Sequence, residues 1–411
     1  MFALVDANNF YVSCERAFQP ELNNKPTIVL SNNDGCAIAR SNEIKALKIP
    51  MGEPIHKIQS QVQQHRIQIR SANFTLYGDM SSRFMSVIEK HSPNIEVYSV
   101  DEAFVNIGTY RDTGTWAEQL RANLYQHIGL PSSIGVARTK VLAKLANRLA
   151  KKSSGTFIIR PGDEQKVLSV TPVGDLWGIG RRISERLMKM GIYTAWQLAR
   201  ANTRLLRKTF SVVMSRIQDE LNGRSVMELE VETEPRQQII VSRSFGETVT
   251  DKRQLQLAIT KFVEEGTRKL RKQNGEARLL SVALNTNPYS SRDKQYHKSC
   301  ELKLPYSTSN SQCINHYAQL LIDKLYREGY HYKRAGIVLM NLTQAGDHQA
   351  DLFNAAPDNE LDKAKDAINE RFGRMVLKPA SLITEKQNWK MKRNYLSKQF
   401  TTNWHQLPEV N

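Results

Sequence analysis

The sequence predicts an α+β protein of several domains. Its 411 residues, 40% of them hydrophobic, supply enough apolar side chains for roughly two to four cores. Strand and helix patterns mix up to about residue 160, helical patterns dominate to about residue 225, and a second mixed stretch ends near residue 342. Such changes of pattern, with no internal repeat, are typical of separate structural units.

The N-terminal segment combines a strand, a turn and a helix. Residues 2–5 form an apolar strand that stops at Asp6, and the turn 7–9 leads into a helix that starts at Phe10. A second, β-branched strand is expected at residues 26–30, before the turn-rich residues 31–35, and a short helix at 41–48. Asp6 is therefore expected at the end of a strand.

Two more carboxylates lie in a predicted hairpin. Residues 95–100 alternate as a strand, Asp101 and Glu102 follow, and residues 103–107 continue in extended form. Two strands on either side of an acidic turn form a hairpin with the carboxylates at its tip.

Residues 139–152 predict an amphipathic helix. Its apolar positions share one face, and the basic residues Lys140, Lys144, Arg148 and Lys151 share another. The later mixed stretch predicts strands at 238–242, 279–284 and 335–342 and helices at 254–272 and 312–327. From residue 343 the chain is polar, and an irregular tail is expected.

Charge favours a polyanionic partner. Lys and Arg number 58 against 41 Asp and Glu, a formal net charge of +17, which suits nucleic acid because neutralised phosphates release counterions. A basic protein without such a partner stays an alternative.

The four cysteines, Cys14, Cys36, Cys300 and Cys313, form no CxxC pair, and reduced thiols are expected. Without a signal peptide or an apolar run of membrane-spanning length, a cytoplasmic protein with no membrane partner is expected.

The three carboxylates are candidates for a two-metal site. If the two predicted strands are neighbours, Asp6, Asp101 and Glu102 converge at one sheet edge, where Mg²⁺ and phosphate oxygens could meet. Alternatively, Asp6 caps a helix and the acidic pair is a solvated turn. A two-metal nuclease and a DNA-binding scaffold with weak catalysis use similar residues and stay open here.

The flanking residues resemble the Y-family DNA polymerases, in particular the UmuC subfamily. Residues 1–11 (MFALVDANNFY) and 98–104 (YSVDEAF) are similar to the two catalytic motifs of that family. Further similarities are residues 29–36 and 51–54 to the fingers, 243–247 to the start of the little finger, and 391–393 with 401–402 to the C-terminal tail. The resemblance thus extends nearly from end to end.

This resemblance implies a right-hand polymerase with a ferredoxin-like palm, small fingers, a helical thumb, an α/β little finger and a C-terminal tail. The expected domains are a palm at 1–165 with fingers inserted at about 20–75, a thumb at 166–235 with a helix-hairpin-helix, a little finger at 236–344, and a tail at 345–411. The tail would carry a clamp-binding motif and a partner-binding segment. The implied activity is error-prone, template-directed DNA synthesis across damaged bases in the SOS response.

The resemblance also assigns roles to residues of the candidate site. Asp6 and Asp101 would ligate two Mg²⁺ ions, for which Mn²⁺ could substitute, and Glu102 would ligate the ion that activates the primer 3′-hydroxyl. The carbonyl of Ala7 would complete one coordination shell. Tyr11 would be the steric gate, where a bulky ring clashes with a ribose 2′-hydroxyl and so selects dNTPs. Phe10 is either a neighbouring nucleotide contact or a core aromatic.

Basic residues are expected around the triphosphate. Lys45 lies where many relatives have arginine, Lys151 matches the lysine at the end of the palm helix, and Arg40 is a third candidate. Lys140 and Lys144 share the helix of Lys151, but a solvated face explains them equally well.

Two regions are candidates for contact with primer-template DNA. Gly178 and Gly180, followed by Arg181 and Arg182, resemble a helix-hairpin-helix in which backbone amides approach a phosphate. An ordinary helix–helix turn is the alternative. In the basic little finger the candidates are Arg243, Lys252 and Arg253.

The polar tail contains one pentapeptide with exposed apolar character. Gln349, Leu352 and Phe353 belong to QADLF, which resembles the peptide by which bacterial polymerases bind the β sliding clamp. The resemblance further implies a processed UmuD-like dimer and RecA as partners, and association with the nucleoid when the enzyme is active.

Overall fold

The computed structural model describes residues 1–108, 112–231, 234–346, 359–373, 375–384, 387 and 389–407. The chain divides into two compact units. Unit 1 contains Met1–Thr233 and Asn394–Asn411, and unit 2 contains Glu234–Arg393. Unit 1 is therefore discontinuous in sequence. Within the described ranges, no helix is long and apolar enough to cross a membrane.

Unit 1 contains eight described strands and eleven described helices. The strands are β1 (Phe2–Ala7), β2 (Thr27–Leu30), β3 (Ala37–Arg40), β4 (Gln68–Ser71), β5 (Ile95–Val97), β6 (Glu102–Asn106), β7 (Ser132–Ala137) and β8 (Thr156–Ile158). The helices are α1 (Phe10–Phe18), α2 (Asn42–Ala46), α3 (Gln59–Gln64), α4 (Phe74–Glu89), α5 (Thr113–Ile128), α6 (Lys140–Ala150), α7 (Glu164–Ser169), α8 (Arg181–Lys189), α9 (Ala195–Arg200), α10 (Thr203–Phe210) and α11 (Val212–Leu221).

The main sheet of unit 1 has the strand order β5-β6-β1-β7-β8, with β1 at its centre. Successive residues of β1 enter different cores. Ala3 and Val5 pack in one core with residues of α1, α4 and α5, while Phe2 and Leu4 pack in another with residues of α6 and the helices that follow. Because helices cover both faces, the strand is apolar from Phe2 to Val5.

Helix α6 packs unusually close to the sheet. A Cβ at Gly135 of β7 would lie 1.9 Å from the backbone nitrogen of Asn147, so only glycine fits there. The Asn147 side chain donates to the carbonyls of Leu4 and Ser133 at 3.1 and 2.7 Å. These contacts fix α6 against the strand that ends in the candidate site.

A smaller sheet in unit 1 has the order β3-β2-β4. It encloses its own core, which includes Ile28, Leu30, Ile44 and Ile49. The strand expected at 26–30 and the helix expected at 41–48 correspond to β2 and α2.

Unit 2 is built on one antiparallel sheet with the order β11-β10-β12-β9. Its elements are β9 (Ile239–Val249), α12 (Lys252–Lys272), β10 (Gly275–Thr286), β11 (His297–Thr308), α13 (Ser311–Leu325), β12 (Tyr332–Gln344), α14 (Glu360–Phe372) and α15 (Ser381–Thr384). Strand β11 was not expected from the sequence. Most of its residues are partly or fully exposed, so it lacks the apolar alternation that identifies a half-buried strand.

The C-terminal part is more ordered than the sequence predicted. Helix α14 occupies residues where an irregular tail was expected, and its buried contact is polar. The Asp362 carboxylate accepts from the backbone N–H of Ser311 at 2.7 Å and pairs with Arg271 and Lys365. The large apolar residues of the helix, Leu361, Ile368 and Phe372, are exposed, so its apolar pattern does not show how it is held.

Candidate active site

Two carboxylates meet across neighbouring strands. Asp6 of β1 pairs with Glu102 of β6 in the antiparallel ladder. Asp6 and Leu4 share one face of the sheet with Glu102 and Phe104, because side chains two residues apart on a strand point the same way. Leu4 and Phe104 pack in the core on the α6 side. The backbone N–H of Ala7 donates to the carbonyl of Asp101 at 2.9 Å. The predicted hairpin thus brings the acidic turn to the end of β1.

Each of these two carboxylates has a lysine partner from the α6 region. The Lys151 ammonium lies 2.6 Å from Asp6 Oδ2, and the Lys144 ammonium lies 3.0 Å from Glu102 Oε2. Lys144 also lies 4.3 Å from the centre of the Tyr98 ring. Since the glycine at position 135 allows the close approach of α6, the packing of that helix positions both cations.

Asp6 is almost fully buried, and its ionisation is strongly perturbed. Burial raises the pKa of Asp6 to about 7, Lys151 opposes the increase, and Glu102 adds to it. Two neighbouring carboxylates in a low-dielectric site repel each other, and a cation relieves that repulsion. The site therefore favours additional positive charge.

Asp101 lies beside the pair, but its side chain points to its own loop. Its Oδ1 accepts from the Ser99 hydroxyl at 2.6 Å. Among the described residues, no group of three or more His, Cys, Asp or Glu side chains is arranged to hold a metal ion. The structure thus brings Asp6 and Glu102 together, and Asp101 lies beside them with its Oδ1 bound by Ser99.

The donor set nevertheless fits a hard divalent cation. Three carboxylates and the nearby Ala7 carbonyl supply only oxygen ligands, which Mg²⁺ prefers. The raised pKa of Asp6 marks a place where negative charge is insufficiently compensated. This donor set contains no nitrogen or sulfur ligand of the kind that would favour zinc.

Tyr11 lies close to the carboxylates, at the start of α1. Its ring stacks on Tyr77 of α4 with 4.4 Å between ring centroids and meets Phe74 edge-to-face at 6.1 Å. Burial raises the pKa of Tyr11, and the negative charge of Asp101 raises it further. The position of the ring is thus determined by aromatic contacts from a second helix.

Phe10 and Tyr11 differ in their surroundings. Phe10 is only 4% exposed and belongs to the core of unit 1, whereas Tyr11 is partly exposed and packs at the edge of that core. The Phe10 ring is therefore a core side chain, and of these two residues Tyr11 is the one whose ring has exposed surface.

Three basic side chains, Lys45, Arg40 and Lys151, lie near one another and near Asp6. The Lys45 ammonium donates to Asn9 Oδ1 at 2.5 Å. Burial lowers the pKa of Lys45, and the positive charges of Lys151 and Arg40 lower it further. Arg40 donates to the Ile49 carbonyl, and its Nε is buried without a partner. Three cations that destabilise one another form a favourable site for a polyanion.

The turn between β1 and α1 holds this arrangement together. Asn9 adopts a left-handed conformation with φ of 50°, which asparagine tolerates better than most residues. Its side-chain amide donates to Asn42 of α2 at 3.1 Å while its oxygen accepts from Lys45. The turn therefore links the carboxylates to the basic side chains.

The predicted DNA-contact turn precedes α8. Gly178 has φ of +87°, where a side chain would be strained, and Gly180 is the N-cap of α8. Arg181 and Arg182 follow at the exposed start of the helix. Backbone N–H groups at such a helix start can donate hydrogen bonds to an anion. This geometry is compatible with the predicted DNA contact but does not test it.

The other predicted contacts have different surroundings. Arg243 of β9 forms an ion pair with Glu265 at 3.0 Å, and Lys252 forms one with Asp323 at 2.9 Å. Both basic groups therefore already have acidic partners within unit 2. Gln349, Leu352 and Phe353 lie outside the described residues.

Sequence reasoning underestimated two lysines of α6 and missed Tyr77. Lys144 contacts Glu102, and Lys140 is buried in an ion pair with Glu96, although both residues looked like a solvated face. Lys144 and Lys151 are seven residues apart, so they share a helix face, and that spacing could have indicated a common role. No sequence signal linked Tyr77 to Tyr11.

Comparison with known proteins identifies three family regions. Residues 5–148 match the model of the impB/mucB/samB family, and residues 236–352 match its C-terminal domain. Residues 359–410 match a domain of unknown function (DUF4113).

Relatives extend over the whole chain. Protein ImpB of Salmonella typhimurium is 39% identical over 99% of both chains, and Protein UmuC of the same organism is 38% identical over 100% of both. DNA polymerase IV of Moorella thermoacetica is 26% identical over 93% of this chain and 96% of its own.

Solved structures show the same fold. A Y-family DNA polymerase chimera of Dbh and Dpo4 has a TM-score of 0.68 at 20% identity, covering 84% of this chain and 100% of its own. An insertion ternary complex of Dbh DNA polymerase has a TM-score of 0.57 at 21% identity and the same coverage. The predicted fold class, an α+β right-hand polymerase architecture, is confirmed.

Proposed function

The chain belongs to the impB/mucB/samB family of UmuC-type, Y-family DNA polymerases, and from this premise we propose how its site extends a primer across damaged bases. The observation that carries the proposal is the Asp6–Glu102 pair with Tyr11 and a group of cations close to it. A nuclease has no use for a sugar-selecting ring or a triphosphate site.

Asp6, Asp101, Glu102 and the Ala7 carbonyl would hold two Mg²⁺ ions. When bound, these ions lower the pKa of the primer 3′-hydroxyl and neutralise charge on the triphosphate. Asp6 and Asp101 would ligate both ions, and Glu102 would ligate the one at the primer end. Asp101 can keep the Ser99 hydroxyl on Oδ1 and offer Oδ2 to a cation. A cation at Asp6 and Glu102 would compete with Lys151 and Lys144, and both lysines would then be available to phosphate oxygens.

The protein side of the reaction is positioning and charge. Lys45, Lys151 and Arg40 bind the triphosphate, and their mutual repulsion is relieved when the polyanion enters. Tyr11 contacts the sugar and excludes a 2′-hydroxyl. Helix α8 with Arg181 and Arg182 holds the duplex by its phosphates, independently of sequence.

The domains that the resemblance implies are part of the proposal. The palm at 1–165 with its inserted fingers and the thumb at 166–235 fall largely in unit 1, and the little finger at 236–344 falls in unit 2. Among partners we propose the β sliding clamp, through QADLF, together with a processed UmuD-like dimer and RecA. The SOS response is the setting, and the cytoplasm, with the nucleoid during synthesis, is the proposed location.

Primer extension with purified protein tests the mechanism. Wild-type protein should elongate a primer with Mg²⁺ and dNTPs, while Asp101→Ala should remove elongation and leave DNA affinity nearly unchanged. Asp219→Ala is the matched control, because Asp219 pairs only with the exposed Arg224 among the contacts described. Elongation by Asp101→Ala would refute the site assignment, and dNTP-independent shortening of the primer by wild-type protein would indicate a nuclease.

A further inference from the structure

The C-terminal strap, residues 394–400, packs on the part of unit 1 that positions Tyr11. The backbone N–H of Asn394 donates to Asp34 at 2.8 Å, and Tyr395 and Ser71 exchange hydrogen bonds of 3.0 Å in both directions. Farther along, the Phe400 ring stacks on Phe18 of α1 at 5.1 Å, with the rings inclined by 8°. The strap is therefore attached at both ends.

At its centre the strap binds the start of α4, the helix that carries Phe74 and Tyr77. The Asn73 side chain is the N-cap of this helix, and its Oδ1 accepts from the Leu76 N–H at 3.3 Å. Its Nδ2 donates to the carbonyls of Ser397 and Lys398 at 3.4 and 3.2 Å. One side chain thus joins the cap of the helix to the strap.

The strap also shares a buried carboxylate with Tyr77. Glu15 of α1 is fully buried, and its Oε1 accepts from the Tyr77 hydroxyl at 2.7 Å and from the Ser397 hydroxyl at 3.1 Å. A buried carboxylate needs such donors, and losing one leaves the others to reorient. Tyr77 in turn stacks on Tyr11.

We propose that the C-terminal strap positions Tyr11 through Ser397, Glu15 and Tyr77, and thereby sets how strongly the site rejects ribonucleotides. The inference rests on the proposed function, because it takes Tyr11 as the steric gate. Ser397, Glu15 and Tyr77 are positioning residues, since none needs to touch the nucleotide. The role belongs to a region that matches a domain of unknown function.

A graded series at Ser397 tests the proposal in the full-length protein. Ser397→Thr keeps the hydroxyl, Ser397→Ala removes the donor to Glu15, and Ser397→Asp places a second carboxylate beside it. The readout is kcat/KM for dATP divided by kcat/KM for ATP, in single-nucleotide insertion opposite dT. Leu396→Ala is the matched control in the same strap, because this side chain is exposed.

We expect the ratio to stay at the wild-type value for Ser397→Thr and Leu396→Ala. It should fall about threefold for Ser397→Ala and about tenfold for Ser397→Asp, mainly through a lower KM for ATP. A purely structural strap would lower the melting temperature in the same order and leave the ratio unchanged, which would overturn the proposal.

A Tyr11→Ala variant distinguishes a failure of the proposed steric gate from a failure of the proposed role of the strap. If Tyr11→Ala leaves the ratio unchanged, the steric gate of the proposed function is wrong, and the inference falls with it. If Tyr11→Ala collapses the ratio while Ser397→Ala and Ser397→Asp keep it, only the role of the strap is refuted. Should Ser397→Asp fail to fold, Ser397→Ala decides.

Discussion

Replacing Lys140 with methionine should destabilise the protein by about 3–5 kcal/mol, because it leaves a buried carboxylate without its cation. The Lys140 ammonium lies 2.5 Å from Glu96 Oε2, and the two side chains are 4% and 8% exposed. Lys140 also donates to the Glu228 carbonyl at 3.1 Å, and Glu96 accepts from the Glu230 N–H at 2.8 Å. The pair anchors β5, which leads into the catalytic hairpin.

The expected loss of stability has two sources, lost packing and an uncompensated buried charge. Methionine keeps most of the apolar stem of Lys140, so the lost packing is small, but the Glu96 carboxylate stays buried without its cation. Breaking a buried ion pair from one side costs about 3–5 kcal/mol. Most of the expected loss therefore comes from the uncompensated charge of Glu96 and little of it from packing.

Urea unfolding measures this effect. Glu96→Gln added to Lys140→Met removes the buried charge and keeps an acceptor for the Glu230 N–H, so the double variant should recover about 1–3 kcal/mol. Arg83→Met breaks the exposed pair with Asp79 and should cost under about 1 kcal/mol. A double variant that is no more stable than Lys140→Met alone would refute the reasoning.

Other changes have equally definite outcomes. Gly135→Ala should cost about 3 kcal/mol or more in thermal unfolding because its Cβ meets the backbone of α6, whereas Gly78→Ala, with open space around it, should be neutral or stabilising. Lys151→Met should reduce kcat/KM for dNTP about tenfold to hundredfold in steady-state kinetics, and an unchanged value would remove Lys151 from the triphosphate site. Replacing Leu352 and Phe353 with alanine should abolish stimulation by the β sliding clamp, and unchanged processivity on clamp-loaded DNA would contradict that role.

Features with local sequence signals were predictable. The apolar run that ends at Asp6 and the alternating residues before Asp101 predicted β1 and the β5–β6 hairpin, because short strands and tight turns depend on nearby residues. The same local patterns placed α1 and α6 to within two residues of their observed starts. Family resemblance supplied the roles, which spacing alone left open.

Features that depend on distant partners were not predictable. Lys140 looks like a surface residue on its own helix, and only the fold brings Glu96 to it. The link from Ser397 to Glu15 joins residues 382 positions apart in the chain. Polar contacts of this kind leave no periodic pattern, whereas apolar faces do.

The discontinuity of unit 1 imposes an order on biosynthesis. The ribosome completes residues 1–233 before it makes the roughly 160 residues of unit 2, and the last piece of unit 1 follows only then. At about 5–20 residues per second, the nascent chain waits about 8–32 s for this piece. During that interval Glu15 and Phe18 lack the partners that the last piece supplies. Unit 1 therefore cannot form all of its contacts until the residues from Asn394 onward have been synthesised, which is after the whole of unit 2.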